Sequence, residues 1–84
     1  MELETYHKAA DIVGELEKLA ENKKRIANTI NSAIPFRNII IEWESGYRET
    51  LHSYGNDTNQ MIMEYLEELT WSMIKELDKQ LKEL

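Results

Sequence analysis

The chain has 84 residues and no cysteine, 42% of its residues are hydrophobic and 31% are charged, and its formal net charge is −6. This length predicts a single domain, 1–84, near the lower limit at which one hydrophobic core is stable by itself, and no disulfide can reinforce it. We therefore expect a homo-oligomer. No apolar run approaches the roughly 20 residues of a membrane span and the acidic start is unlike a signal peptide, so we expect a cytoplasmic protein with no membrane partner.

Charge is distributed unevenly along the chain. Residues 1–22 carry six acidic side chains and two lysines, and residues 55–84 carry seven acidic side chains and three lysines, so each of these two arms has a net charge of −4. Residues 23–54 carry five basic and three acidic side chains, a net charge of +2. Because the arms repel phosphate, we expect no extended DNA or RNA face, whereas the middle of the chain can hold a compact anion.

The first arm has the apolar periodicity of a long helix, which we predict over about 3–32. Alternating spacings of three and four residues form a heptad seam: Ala9, Ile12, Leu16, Leu19, Lys23, Ile26, Ile30 and Ala33. Lys23 interrupts this seam, either because it fixes the register against a neighbouring helix or because its aliphatic stem covers apolar surface while its ammonium reaches water.

A β-hairpin is predicted between the arms, with strands over 38–43 and 47–53. Ile34 and Pro35 stop the first helix, because proline disfavours helical backbone at the residue before it. A two-residue turn would place Glu42 opposite Glu49, which is unfavourable, and a three-residue loop with Gly46 in the left-handed conformation avoids this pairing. That loop pairs Trp43 with Tyr47, Glu42 with Arg48, Ile40 with Thr50 and Ile39 with Leu51. A helical segment over 47–53 remains the alternative.

This register gives the hairpin two unlike faces. The apolar face carries Ile39, Ile41, Trp43, Tyr47 and Leu51, interrupted by Glu49. The polar face carries Ile40, Glu42, Arg48, Thr50, His52 and Tyr54. We expect the helix ends to cover part of the apolar face and a second subunit to cover the rest. The open strand edges also invite pairing with another hairpin.

The second arm predicts a helix over about 58–83 that packs antiparallel against the first, with Asp57 as its cap and Gln60 in the capping-box position. Its apolar face holds Ile62, Leu66, Leu69, Met73, Leu77 and Leu84, with Thr70, Ile74 and Leu81 at the edge. Trp71 lies on the far side, about 160° from Met73 at ~100° per residue. It marks a second contact between helices or a surface for a partner or ligand, or it is an exposed tryptophan without either role.

Several kinds of chemistry have no support in the sequence. Cysteine nucleophiles, the Gly-x-Ser-x-Gly elbow and phosphate-binding glycine loops are absent. The two histidines, His7 and His52, have no second histidine one helical turn away, as a helical zinc motif would require. We expect a protein that is not an enzyme and that holds no metal or cofactor.

One group of residues around the hairpin combines planar cations with aromatic rings. Guanidinium groups bind phosphate through two hydrogen bonds, and aromatic rings stack on nucleobases. The candidate ligand-binding residues are Arg37, Arg48, His52, Trp43, Tyr47, Tyr54, Arg25 and Lys24. In the alternative interpretation Arg48 pairs with Glu42, Trp43 and Tyr47 fill the hairpin, and Arg37 is solvated. The candidate oligomer interface comprises Ile39, Ile41, Leu51, Lys23 and Trp71.

Two resemblances extend this interpretation. The arrangement of helix, Pro35-bounded hairpin with Ile39, Ile40 and Ile41, and helix resembles prefoldin-type subunits in topology over nearly the whole chain. That resemblance implies assembly through hairpins and allows a holdase chaperone. In size, charge and lack of cysteine the chain resembles small phage-encoded anti-defence proteins, which implies an oligomer in the host cytoplasm that sequesters a nucleotide signal. A third hypothesis is a scaffold whose acidic arms bind a basic protein.

Overall fold

The computed structural model describes residues 2–84 as two long helices with a β-hairpin between them. The elements in chain order are helix α1, Leu3–Ile30; strand β1, Asn38–Glu42; strand β2, Arg48–His52; and helix α2, Asn56–Lys82. The chain is 66% helical, so the predicted helix, hairpin, helix fold is confirmed. Met1, at the start of the predicted domain 1–84, lies outside the described residues.

The two helices pack antiparallel along one face of each. On α1, Leu19 is buried, and the neighbouring seam positions Ile12, Leu16 and Ile26 are half-buried, as the heptad spacing predicts. Lys23 is exposed, in agreement with a lysine that reaches solvent from the edge of a seam. The first helix ends two residues earlier than predicted, at Ile30.

The packed face of α2 differs from the predicted one. Thr70, which we placed at the edge of the apolar face, is 7% exposed and central, whereas Leu66, Leu69 and Met73 are each more than a third exposed. The packed column continues at alternating spacings through Ile74, Leu77 and Leu81. Thr70 can be buried in the interface between the helices because its hydroxyl donates a 2.7 Å hydrogen bond to the Leu66 carbonyl one turn earlier.

The start of α2 also differs from the prediction. Asp57 is not the cap: the helix begins at Asn56, and the residue before it, Gly55, has φ 94° and no side chain to cap with. Asp57 instead lies in the first turn, where its negative charge is favourable near the positive end of the helix dipole. The capping box with Gln60 is therefore wrong, because glycine occupies the position that a capping side chain needs.

The hairpin has the predicted register. Ile39 lies opposite Leu51, Ile40 opposite Thr50 and Glu42 opposite Arg48 in an antiparallel pair, so the strand interpretation of 47–53 is confirmed and the helical one is wrong. Most of the apolar face lies away from the helices. Within residues 2–84 no Cα atom of either strand lies within 8 Å of a Cα atom of either helix, and Ile39 is the half-buried residue of the face.

The molecule exposes more surface than a compact protein of its size. Its extents are 51 × 29 × 15 Å and its solvent-accessible surface is 7035 Å². A typical folded monomer of 9.9 kDa exposes about 5,200 Å². Between residues 2 and 84, neither helix has a stretch that is long and apolar enough to cross a bilayer.

Candidate assembly and binding site at the hairpin

The hairpin turn is built around Gly46. The Gly46 N–H donates to the Trp43 carbonyl at 2.9 Å, and the Trp43 N–H donates to the Tyr47 carbonyl at 2.8 Å. These two hydrogen bonds close the predicted three-residue loop, and Gly46 has the predicted left-handed φ of 91°. Only glycine adopts this conformation without a steric cost. The turn therefore fixes which side chains share a face.

The apolar face lies open to solvent. Trp43 is 49% and Tyr47 is 59% exposed, and their ring centroids are 5.5 Å apart in a tilted arrangement. Ile41 and Leu51 are also exposed, and Ile39 is half-buried. Two aromatic and three aliphatic side chains thus form one continuous surface beside the turn.

Glu49 is the single carboxylate on this face, and it is bonded to Tyr47. The Tyr47 hydroxyl donates a short hydrogen bond to Glu49 Oε1, two residues along the same strand. This hydrogen bond, together with a smaller effect of desolvation, raises the pKa of Tyr47 above its ordinary value of 10.0. The Glu49 carboxylate thus has a hydrogen-bond donor among the apolar side chains.

The polar face carries an ion pair. Arg48 Nε lies 2.9 Å from Glu42 Oε1, directly across the two strands, as the alternative interpretation of Arg48 expects. His52 lies on this same face, opposite Asn38. Because alternate residues point to opposite sides of a sheet, Arg48 and His52 face away from Trp43 and Tyr47. The structure therefore does not bring Arg48 and His52 together with the Trp43 and Tyr47 rings within one chain.

Arg37 and His52 meet at the base of the hairpin. Both line a shallow surface depression whose rim also includes Asn38, Ser53 and Asn56. Arg37 is exposed and makes no ion pair with any residue from 2 to 84. Within the predicted ligand-binding set, Arg37 and His52 therefore share one location, apart from Trp43 and Tyr47.

The other predicted ligand-binding residues lie apart from this depression. Arg25 Nε is 2.9 Å from Glu21 Oε1 on the outer surface of α1, and Lys24 is exposed on the same helix. Tyr54 is exposed and follows the end of β2. Lys24 and Arg25 therefore belong to the helical arm rather than to the hairpin.

Two of the predicted interface residues contact each other across the helices. Lys23 Nζ lies 4.2 Å from the centroid of the Trp71 ring, and Lys75 Nζ lies 5.0 Å from the same ring. Trp71 is 44% exposed. The contact joins α1 to α2, which agrees with the interpretation of Trp71 as a second contact between helices.

Asn59 joins the hairpin to α2, a role that the sequence analysis missed. Its side chain is 2% exposed, its Oδ1 accepts a 3.2 Å hydrogen bond from the Tyr54 N–H, and its Nδ2 donates to Ser53 Oγ at 2.8 Å. Ser53 Oγ also accepts a hydrogen bond from the Gly55 N–H at 3.1 Å. We call Ser53, Tyr54, Gly55 and Asn59 the hairpin joint. An asparagine in the first turn of a helix gives no sequence signal that distinguishes this role.

A second exposed apolar stripe runs along α2, on the side turned away from α1. Its spacing of four residues could have identified it from the sequence. The stripe contains Met61, Tyr65, Leu69 and Met73, with Leu66 beside them.

Comparison of the chain with protein-family models, with curated proteins and with solved structures finds no match. Residues 2–84 also contain no group of three or more histidine, aspartate or glutamate side chains arranged to hold a metal ion.

Proposed function

We propose that this chain is a non-enzymatic binding protein that works as a homo-oligomer assembled through its hairpins. The observation that carries the proposal is the apolar face of Ile39, Ile41, Trp43, Tyr47 and Leu51, of which all but the half-buried Ile39 are exposed. Exposed apolar surface of this kind is characteristic of interaction sites in soluble proteins. A second copy offers the same surface to bury.

The solvent-accessible surface of the chain is large enough to contribute to a permanent interface between subunits. The chain exposes 7035 Å², roughly 1,800 Å² more than the value expected for a compact monomer of its mass. Permanent interfaces bury about 2,000–5,000 Å² in total, half of it on each partner. The excess is thus of the size that one subunit contributes to a permanent oligomer.

One partly enclosed cavity favours a binding protein over an enzyme. It has a volume of about 140 Å³ and lies where α1, the loop after it and α2 meet. Its lining contains no titratable side chain: Thr29, Ser32, Ala33, Ile34, Pro35, Phe36, Asn56, Asn59 and Gln60. Acid–base or nucleophilic catalysis needs such groups in an enclosed site.

The assembly is tested with two variants that place the same charge on opposite faces of β2. Leu51→Glu puts a carboxylate on the apolar face, and Thr50→Glu puts one on the polar face beside Arg48. Native mass spectrometry and light scattering of the wild-type chain should give a multiple of 9.9 kDa. We expect Leu51→Glu to dissociate the oligomer and Thr50→Glu to leave it intact, with helical circular dichroism unchanged in both.

A wild-type chain that is monomeric at micromolar concentration would refute the proposal. Equal effects of the two substitutions would show that the apolar face is not the contact surface.

As a ligand of the assembled form we propose a small phosphorylated anion such as a nucleotide. The specific observation is that Arg37, which has no acidic partner among residues 2–84, shares a depression with His52. A free guanidinium binds phosphate through two parallel hydrogen bonds. Because Trp43 and Tyr47 point to the opposite face, recognition at this depression rests on charge rather than on stacking of the base.

Calorimetry tests this ligand class with pyrophosphate, AMP and cyclic dinucleotides. Arg37→Gln should abolish the heat of binding, and Arg25→Gln, which removes an arginine paired with Glu21 on α1, should leave it unchanged. No heat with any of these probes would remove the anion as ligand and would leave the assembly proposal standing.

A further inference from the structure

The outer edge of β1 is an open hydrogen-bonding edge. The sheet has two strands, so β1 has β2 on one side and no described strand on the other. Trp43 donates to Tyr47 across the hairpin, and hydrogen-bonded positions alternate along an antiparallel pair. Ile41 and Ile39 therefore direct their backbone groups towards β2, whereas those of Ile40 and Glu42 point outwards. These outward groups are available to another strand.

This edge lacks the features with which soluble proteins block strand pairing. The exposed strand edges of soluble proteins usually carry proline, a bulge or a charged side chain that points inward. β1 contains three consecutive isoleucines and no proline, and its one charged residue, Glu42, is at the end of the strand and is paired with Arg48. β2 instead carries Arg48, Glu49 and His52.

We propose that β1 pairs with β1 of a second copy, antiparallel and about a two-fold axis at Ile40, and so forms a continuous four-stranded sheet. This inference rests on the proposed assembly and specifies which edge produces it. Ile40 lies opposite Ile40 of the second copy, Ile39 lies opposite its Ile41, and Asn38 lies opposite its Glu42. Every outward-pointing backbone group of β1 then has a partner, and no like charges are opposed.

Register centred on Ile40 also keeps the two faces separate. A shift by one residue would place Ile40 opposite Ile41 and mix the apolar face with the polar face. A shift by two residues preserves the faces but opposes Ile40 to Glu42 and shortens the overlap. The register centred on Ile40 pairs all five residues of β1.

The other two edge combinations are less favourable. Pairing of β2 with β2 would place Arg48 opposite His52 and Glu49 opposite Leu51. Pairing of β1 with β2 of another copy would place Ile41 opposite Glu49. Because this pairing uses two different edges, each chain adds a further chain until a ring closes. Pairing of β1 with β1 is the combination that keeps carboxylates off the apolar side of the new interface.

The paired sheet doubles the apolar face. Ile39, Ile41, Trp43 and Leu51 of both copies then line one side of a single sheet, and the two-fold axis passes between them. A sheet with one large apolar side is buried by packing face to face on a second such sheet, at a spacing of ~10 Å. The pairing thus explains how the apolar surface becomes large enough to hold subunits together.

Single cysteines test the edge directly, because the chain has no cysteine of its own. Residues opposite each other in a hydrogen-bonded pair have Cα atoms about 5.5 Å apart, within the range that a disulfide spans. Ile40→Cys places a thiol on the proposed axis. Thr50→Cys places one at the equivalent position of β2, because Thr50 is the cross-strand partner of Ile40. Both side chains are exposed, so neither change disturbs the packed helices.

Mild oxidation of the full-length variants should convert Ile40→Cys to a covalent dimer of doubled mass on a denaturing gel and leave Thr50→Cys monomeric. A mixture of the two variants should give no dimer that contains both. A covalent dimer of Thr50→Cys, or a mixed dimer, would overturn the inference in favour of another edge. If no variant is crosslinked while light scattering still reports an oligomer, edge pairing is wrong and assembly stands; a monomeric wild-type chain would refute the assembly itself.

Discussion

Asn59 is bonded to Ser53 through a 2.8 Å hydrogen bond from its Nδ2 to the serine Oγ, and both residues belong to the hairpin joint. The same asparagine accepts a hydrogen bond from the Tyr54 N–H. One buried amide at the start of α2 thus holds the chain that leaves the hairpin. Because no Cα atom of either strand lies within 8 Å of a helix Cα atom, these hydrogen bonds are the described attachment of the hairpin to α2.

We expect Asn59→Ala to destabilise the protein by about 1–3 kcal/mol, because it leaves the Tyr54 N–H without its partner and removes one of the two hydrogen bonds to the Ser53 hydroxyl. Urea unfolding monitored by helical circular dichroism measures the change. Asn56→Ala, three residues earlier, is the matched control: Asn56 is exposed and makes no side-chain hydrogen bond within residues 2–84. Equal midpoints for the two variants would contradict the role of Asn59.

The two glycine-to-alanine changes at Gly46 and Gly14 should have opposite effects. Gly46 has a φ of 91°, so Gly46→Ala strains the turn by ~1–2 kcal/mol. Gly14 lies in α1 with no neighbouring atom within 4 Å of an added Cβ, so Gly14→Ala should stabilise the helix by up to ~1 kcal/mol. Amide hydrogen exchange should become faster at Ile41 and Glu49 in Gly46→Ala, and the urea midpoint should rise in Gly14→Ala. Slower exchange in the first variant would be inconsistent with the strained turn.

The bond between Tyr47 and Glu49 makes the hairpin sensitive to alkaline pH. The phenol donates this hydrogen bond only while it is protonated, and its pKa in the folded state is raised above 10.0. The pair therefore stabilises the hairpin fully below pH 10.0, and the stabilisation is lost as the pH rises through the raised pKa. Titration followed by NMR at the Tyr47 ring should show the pKa falling towards 10.0 in Glu49→Gln. An unchanged pKa in that variant would assign the shift to another cause.

Thr70 separates the contribution of a buried methyl group from that of a buried hydroxyl. Thr70→Ser removes the methyl group from the helix interface and should destabilise the protein by ~1 kcal/mol. Thr70→Val keeps the shape and removes a hydroxyl whose bond to the Leu66 carbonyl is internal to α2, so stability should be unchanged or higher. Thermal unfolding of the pair measures both effects. A less stable Thr70→Val would show that the hydroxyl contributes more than the apolar contact.

The hairpin could be predicted from sequence because its constraints are local. Two carboxylates, Glu42 and Glu49, exclude the two-residue turn, and Gly46 supplies the left-handed position for the three-residue loop. The register follows from these residues alone, and the structure has the same pairs. In the same way, the heptad spacing of α1 predicted the position of Leu19 in the core.

Tertiary contacts decided what the sequence could not predict. The side of α2 that packs depends on its rotation against α1, and this rotation places Thr70 inside and leaves Leu69 and Met73 at the surface. Asn59 is buried because the end of the hairpin passes over it. The spacing of apolar residues in the sequence does not predict where that segment of the chain runs. Aspartate is a residue type that often caps helices. In the structure, however, α2 begins at Asn56, one residue before Asp57, and Gly55 occupies the cap position.

The length of the helices has a consequence for the proposed oligomer. α1 has 28 residues and therefore extends about 42 Å at 1.5 Å per residue, so the far end of the helical pair lies well away from the hairpin. Both arms are acidic, and in the proposed oligomer the repulsion between arms of neighbouring subunits is screened over about 10 Å at 0.1 M salt. The distance between the far ends of neighbouring helical pairs should therefore shrink as ionic strength rises.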